Sequence, residues 1–375
     1  MDPSEIRLWA ETVARLMADT ENRLIRIVCN SAWRDMGADP YAVQRLAELA
    51  LVRARLEKQL GRSWDDVINR VQDVLNLARQ AGQGAANWDL KRSTMPDTLP
   101  AQMALGIERI AADTLKHLVP MRAIILRDAI DQYQQVISGP AVHTLTGATS
   151  RREATKEAMR RFARRGIQGF TDKSGRAWRL DSYAEMAVRT GAMHAARYGY
   201  EQTLINAGED LVTISSHGYT CSMCAKWEGK TLSLTGRTPT GTVELEHALL
   251  DGVMVPITVA GTVEQARAGG LFHPNCGHTA ALYLPGVTRP SAPAERKTTY
   301  DASQQQRAEE VHIRALKRQL AGEFDPAKQT QIRREINQHR QNIRDLIEKH
   351  PMLKRKRERE RNLMGDPKPP KVHTD

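Results

Sequence analysis

Aromatic residues are scarce in this chain, at 5% of 375. No apolar run approaches the roughly 20 residues needed to cross a bilayer, so membrane spans are not expected. The start, Met1-Asp-Pro-Ser-Glu5, is acidic and lacks an apolar stretch behind it, which predicts no secretory leader. A reducing cytoplasm is therefore expected, where cysteine patterns point to metal or redox use more than to disulfides. Cysteine itself is nearly absent, with four residues in all. No H-E-x-x-H or H-x-E pattern is present, which removes the usual signatures of a catalytic zinc. Few aromatics and no helix-turn-helix or finger helix after Cys224 argue against sequence-specific nucleic-acid readout.

Three of the four cysteines are concentrated in two short motifs, Cys221-Ser-Met-Cys224 and His273-Pro-Asn-Cys276-Gly-His278. A C-x-x-C turn presents two thiolates to one ion, and a second group from elsewhere completes a tetrahedral site. Residues 225 to 275 separate the motifs, longer than a small zinc-finger loop, so a bound ion would staple distant segments of a larger domain. Five donors compete for four positions: Cys221, Cys224, Cys276, His278 and, in reserve, His273. His217 is a weaker substitute that more simply caps the turn. The bland alternative is a set of half-buried thiols, with His273 bonding the turn around Pro274 and Asn275. Cys29 stands alone in an amphipathic stretch and reads as a core residue.

The stretch from Ser215 to Lys230, the His273–His278 motif, Tyr283-Leu-Pro-Gly286 and the upstream block Gly175–Thr190 together resemble the phage minor capsid protein 2 family. That family is related to the Mu F-type head morphogenesis proteins. The resemblance covers residues 1 to about 350. It departs at Gly277, where relatives usually carry arginine. The family alternates histidine and cysteine at the position of His278, which implies a ligand there in preference to His273. The resemblance further implies a structural virion component joining the portal and the capsid interior, without enzymatic activity. Its expected partners are the phage portal and capsid proteins. Its expected place is the capsid interior near the portal vertex, after assembly in the host cytoplasm. A structural Zn2+ is the expected cofactor.

Charged residues make up 26% of the chain and the formal net charge is +11. Such a balance attracts polyanions through counterion release. Candidate phosphate contacts are Arg160, Arg161, Arg164 and Arg165, with Lys354, Arg355, Lys356 and Arg357 in the C-terminal run. The alternative functional reading is therefore a nonspecific DNA-binding protein associated with the packaged genome. The bland reading of the same residues is a solvated helix face and a solubilising tail.

Periodicity predicts an α+β protein, predominantly α. Apolar stripes place helices from Pro3, from Asp39-Pro40 to Gly61, from Ser63 to Gly82, and from Met103 to Ile137 with a break at Pro120. Ser138-Gly-Pro140 is expected to end the last of these, before a linker over residues 138 to 150. A basic helix then ends at Gly166, Phe170–Leu180 reads as a hairpin with a polar turn between two apolar-bearing arms, and Asp181-Ser182 caps a further helix. Leu211–Ser215 and Val253–Val259 read as strands, the second at a sheet edge because of Pro256. Val263–Ala268 reads as a brief helix. Phe324-Asp-Pro326 divides two charged helices. The expected organisation is a helical region at 1–140, which by analogy docks on the portal or head. A compact, zinc-stapled α+β domain at 145–290 follows, then a helical hairpin or coiled coil at 299–350 and a disordered basic tail at 351–375. An enzyme is the remaining alternative. It would be built on a zinc with Glu228, Glu244, Glu246 or His247 as base, on Cys276 with a neighbouring histidine, or on an ADP-ribosyltransferase-like use of Arg189, Ser215 and Ser216.

Overall fold

The computed structural model describes residues 3–35, 42–90, 101–145, 151–171, 177–216, 220–274, 276–290, 297–321, 323, 325–351, 353–355 and 360. In chain order, α1 (Pro3–Asp35), α2 (Ala42–Asp89), α3 (Ala101–Leu118), α4 (Met121–Leu145) and α5 (Arg151–Arg165) precede the hairpin of β1 (Gln168–Thr171) and β2 (Ala177–Arg179). Next come α6 (Leu180–Asn206), β3 (Leu211–Ile214), the single turn α7 (Ser222–Ala225), β4 (Thr231–Ser233), β5 (Gly241–Glu246) and β6 (Met254–Thr262). The chain continues through α8 (Val263–Ala268), β7 (Ala280–Leu282), α9 (Lys297–Ala321) and α10 (Pro326–Lys349). The fold is α+β and predominantly α, with about 70% of the described residues helical.

Three helix boundaries differ from expectation. The glycines at 61 and 82 do not interrupt α2, which runs unbroken through both. Glycine inside a helix costs only about 1 kcal/mol relative to alanine, and at Gly82 packing makes its small size necessary. A Cβ there would collide with the carbonyl of Ala196 on α6, and one at Gly199 would meet the carbonyl of Arg79 on α2. The two backbones thus cross in direct contact. Likewise α4 continues past Ser138-Gly-Pro140 to Leu145. The break at Pro120 is present, between α3 and α4.

The chain packs as two compact units. One comprises Met1–Glu11, Arg70–Lys116 and Met186–Asp301, the other Thr12–Asn69, His117–Glu185 and Ala302–Asp375. The first holds a five-stranded mixed sheet ordered β5-β6-β4-β3-β7, in which only the β4–β6 pair is parallel. β6 is therefore interior in strand order, a correction to the expected edge. The reason for tolerating Pro256 survives locally: β4 reaches only Val259 and Thr262 of β6, whereas Pro256 is matched by Glu244 of β5 alone. A missing N–H on the side without a partner strand leaves no ladder bond unmade. Behind the sheet lies a core of Ala86, Tyr200, Leu204, Val212, Ile214, Leu232, Val263, Leu271 and Phe272, into which Cys224 and Cys276 are packed. The Tyr200 hydroxyl donates to Asp89 and accepts from the Leu282 amide at 2.7 Å, tying α2, α6 and β7 together.

The second unit contains the antiparallel β1–β2 hairpin, with Phe170 opposite Trp178, and the α9–α10 pair. Asp325 caps α10 through the Ala327 amide, with Pro326 in the first turn, as its Asp-Pro sequence predicts. Ile313, Leu320, Ile332, Ile336 and Ile343 close the interface between the two helices, which defines a hairpin. Glu323 in the connection is buried and accepts from Arg160 of α5 at 2.9 Å.

Candidate metal centre

Strand pairing explains why the two motifs meet. β3 and β7 are antiparallel neighbours, with Ile214 opposite Ala280. The chain leaving β3 therefore starts beside the chain entering β7. Ser215 continues the register, its amide donating to Thr279 O and its hydroxyl accepting from the Thr279 amide, both at 2.9 Å. Cys221 then occupies the N-cap of α7 and Cys224 lies in that turn, facing Cys276. On the other side, Phe272 takes the left-handed conformation (φ 63°) that turns the chain into the second motif, and the Cys276 amide closes the turn on His273 O.

All five donors come together. Cys224 Sγ lies 3.6 Å from Cys276 Sγ, which lies 3.3 Å from His278 Nδ1. Cys221 Sγ lies 3.0 Å from His273 Nε2. They form two overlapping triads, Cys221–Cys224–His273 and Cys224–Cys276–His278, with Cys224 common to both. A tetrahedral zinc with Zn–S near 2.3 Å and Zn–N near 2.0–2.1 Å separates two sulfurs by about 3.8 Å and a sulfur from a nitrogen by about 3.5 Å. The donor set is soft, and the Cys224–Cys276 and Cys276–His278 separations are close to these, so the buried triad fits the ion and Cys221 and His273 are the donors nearest to complete it. The second ring nitrogen of each histidine has an oxygen partner. His278 Nε2 is 2.8 Å from Glu228 Oε1, and His273 Nδ1 is 2.7 Å from Pro274 O. Ligating histidines are ordinarily oriented in this way. His217 lies outside the described residues.

The polar environment of the cluster is dense. Glu228 is buried and also accepts from Ser216 Oγ at 3.1 Å and from Thr220. Arg197 of α6, 2% exposed, donates through Nε and Nη2 to His278 O at 3.1 and 2.8 Å, and through Nη2 to Cys276 O at 3.2 Å. Its guanidinium stacks 4.2 Å from the centroid of Phe272. Burial lowers the Arg197 pKa to about 10, which leaves the group charged at neutral pH. The Cys224–Cys276 hydrogen bond drives the two thiols apart in acidity, depressing Cys276 and raising Cys224. Burial works against a charged His278, but its bonds to Cys276 and Glu228 prevail and raise its pKa. Cys29, by contrast, is a buried thiol pushed up to about 12 by desolvation alone.

Cys276, His278 and Glu228 form a thiol–imidazole–carboxylate line such as a nucleophilic enzyme uses. The space beside it is small. Cys276 is buried, and the cavity reaching it, lined by Arg189, Thr190, Met193, His194, Arg197 and His273, has a volume of about 10 Å³. That is room for about one water. Glu244, Glu246 and His247 belong to the β5 strand and its turn and are not among the donors of the cluster. Arg189 is buried beside the cavity, and Ser215 and Ser216 serve the β3–β7 junction and Glu228.

The structure gives four of the eight candidate phosphate contacts side-chain partners within the protein. Arg160 pairs with Glu323 and Glu157, Arg164 bonds Gln319, and Arg165 pairs with Asp128, while Arg161 is exposed. Arg355 forms a two-pronged bond to Glu360 at 2.8 and 2.9 Å, and the Lys354 carbonyl accepts from Gln306. Lys356, Arg357 and most of the expected tail lie outside the described residues. Among those described, no helix is long and apolar enough to cross a membrane.

A sheet junction that gathers cysteine and histidine into its core, on a largely helical chain, describes a structural protein better than a catalytic one. Residues 1–348 match the family Phage minor capsid protein 2, and the chain belongs to that family. It is thus a phage structural protein and a component of the virion. No curated protein matches it significantly, and no solved structure does.

Proposed function

We propose that this chain is a minor head component linking the portal to the capsid interior, with a zinc ion stapling the β3–β7 junction of its first unit. The family match over nearly the whole chain carries the structural role. The two donor triads that share Cys224, Cys224–Cys276–His278 and Cys221–Cys224–His273, support the metal; in this reading Cys221 joins the buried triad as the fourth ligand. In this reading the ion holds two chain segments together where the aliphatic core alone is small, and the helices present surfaces to the portal and capsid proteins. Cryo-electron microscopy of particles carrying a tagged chain tests the location. Density at one vertex is expected, and equal density at every vertex would refute the portal assignment. Metal content per purified chain tests the ion.

A second contribution, nonspecific contact with packaged DNA, is supported by the net charge of +11. With Arg160, Arg165 and Arg355 engaged in ion pairs, it rests more on Arg161 and the C-terminal run than on the α5 helix as a whole.

A further inference from the structure

The metal reading leaves a charge to be explained. Three thiolates around one divalent ion carry an excess of one negative charge, and the buried Glu228 carboxylate adds another. A second ion bridged through Cys224 would remove this excess. However, two tetrahedral ions with one shared ligand need about seven donors, and the cluster offers five.

The compensating charge is that of Arg197. Among the described residues no carboxylate forms a salt bridge with it. Glu201, which also acts on it, is held instead by Arg267 at 2.8 and 2.6 Å. A buried guanidinium without an anionic partner is costly; here the thiolates supply the anion. Arg197 also grips the carbonyls of Cys276 and His278, on either side of Gly277, from one face. Glu228 acts on the other side. By accepting at His278 Nε2 it places the ring proton there, so that Nδ1 presents its lone pair toward Cys276 and the ion.

We propose that Arg197 and Glu228 are positioning residues of a single-ion centre, Arg197 supplying its buried counter-charge and holding the Cys276–His278 segment, Glu228 fixing His278 as the Nδ1 ligand. The proposal rests on the metal reading above. Neither residue is adjacent in sequence to the ligand motif it serves: Arg197 approaches from a helix, and Glu228 approaches His278 across the sheet junction.

The test uses the full chain, loaded with zinc or cobalt(II), as wild type, Arg197→Lys, Arg197→Met and Glu228→Gln. One ion per wild-type chain is expected, with cobalt absorption diagnostic of three thiolates and one imidazole. Arg197→Met and Glu228→Gln should each weaken binding by about 10- to 100-fold in competition with a chromogenic chelator. Glu228→Gln should also shift the cobalt ligand-field bands, and Arg197→Lys should recover part of the affinity. If Arg197→Met does not fold, Arg197→Lys and Glu228→Gln carry the test. Wild-type affinity and spectra in both variants, with only the melting temperature lowered, would overturn the positioning roles while leaving the centre intact. Two ions per chain would overturn the single-ion count. A wild type that takes up no metal would instead overturn the reading on which the proposal stands.

Discussion

Cys224→Ser is the most informative single perturbation, because Cys224 is fully buried and is shared by both donor triads. Metal bound only by the folded chain stabilises it by RT ln(1 + [L]/Kd), which is about 4 kcal/mol when free metal exceeds Kd by about 1,000-fold. For a unit of roughly 150–250 residues, 1 kcal/mol moves the melting temperature by about 2–4 °C. Loss of the ion should therefore lower the transition of the first unit by about 8–16 °C. The substitution also exchanges a buried thiol for a hydroxyl, a cost unrelated to metal. Cys29→Ser, at a buried thiol distant from the cluster in the chain, measures the size of that cost. The assay is calorimetry of wild type, Cys224→Ser and Cys29→Ser, each with excess zinc and with a strong chelator. Chelator should bring the wild type down toward the Cys224→Ser transition, stopping above it by no more than the thiol-to-hydroxyl cost, while the zinc response is absent in Cys224→Ser and intact in Cys29→Ser. A wild-type melt indifferent to chelator and zinc, with Cys224→Ser no worse than Cys29→Ser, would refute the staple.

Three further outcomes are expected. Removing one partner of a buried ion pair costs up to about 3–5 kcal/mol, so Glu323→Ala, which leaves Arg160 only its longer pairing with the exposed Glu157, should lower the urea midpoint of the second unit by part of that amount; an unchanged midpoint would deny the pair its role. Gly82→Ala should destabilise the first unit by about 1–3 kcal/mol despite alanine's better helix propensity, since its methyl meets the Ala196 carbonyl; a gain in stability, read by chemical denaturation, would show that the helix crossing yields easily. Burial opposes ionisation of Asp210, but bonds from Thr235, Thr238 and Ser233 outweigh it and hold the carboxyl at about 2 against its ordinary 3.8. This contribution is fully present above pH 3.8 and is lost as pH falls toward 2, so the stability gap between wild type and Asp210→Asn should close over that window in acid titrations followed by circular dichroism. A gap constant with pH would contradict it.

The cysteines and histidines that the fold gathers, and most of the helices, were legible along the chain. Cys221, Cys224, Cys276 and His278 are legible because C-x-x-C and H-x-x-C-x-H are local spacings that few structural needs other than a metal demand. The Asp325-Pro326 start of α10 and the break at Pro120 are legible because proline and N-cap chemistry act within a few residues. The glycines of α2 misled for the complementary reason. Propensity treats Gly82 as a stop, whereas the need for a glycine is imposed by a carbonyl on α6, more than a hundred residues away. The three-residue strands β4 and β7 are too short to show a period, yet the β3–β7 register is what brings the two motifs together. Tertiary structure alone decided that Arg197, on a helix with no motif of its own, lies against the backbone of the second motif. It likewise placed Glu228 against His278 Nε2 at 2.8 Å, fifty residues apart in the chain. The physical reason is common to all of these: ligand chemistry and capping are properties of neighbours along the chain, while counter-charge, close approach and strand order are properties of neighbours in space.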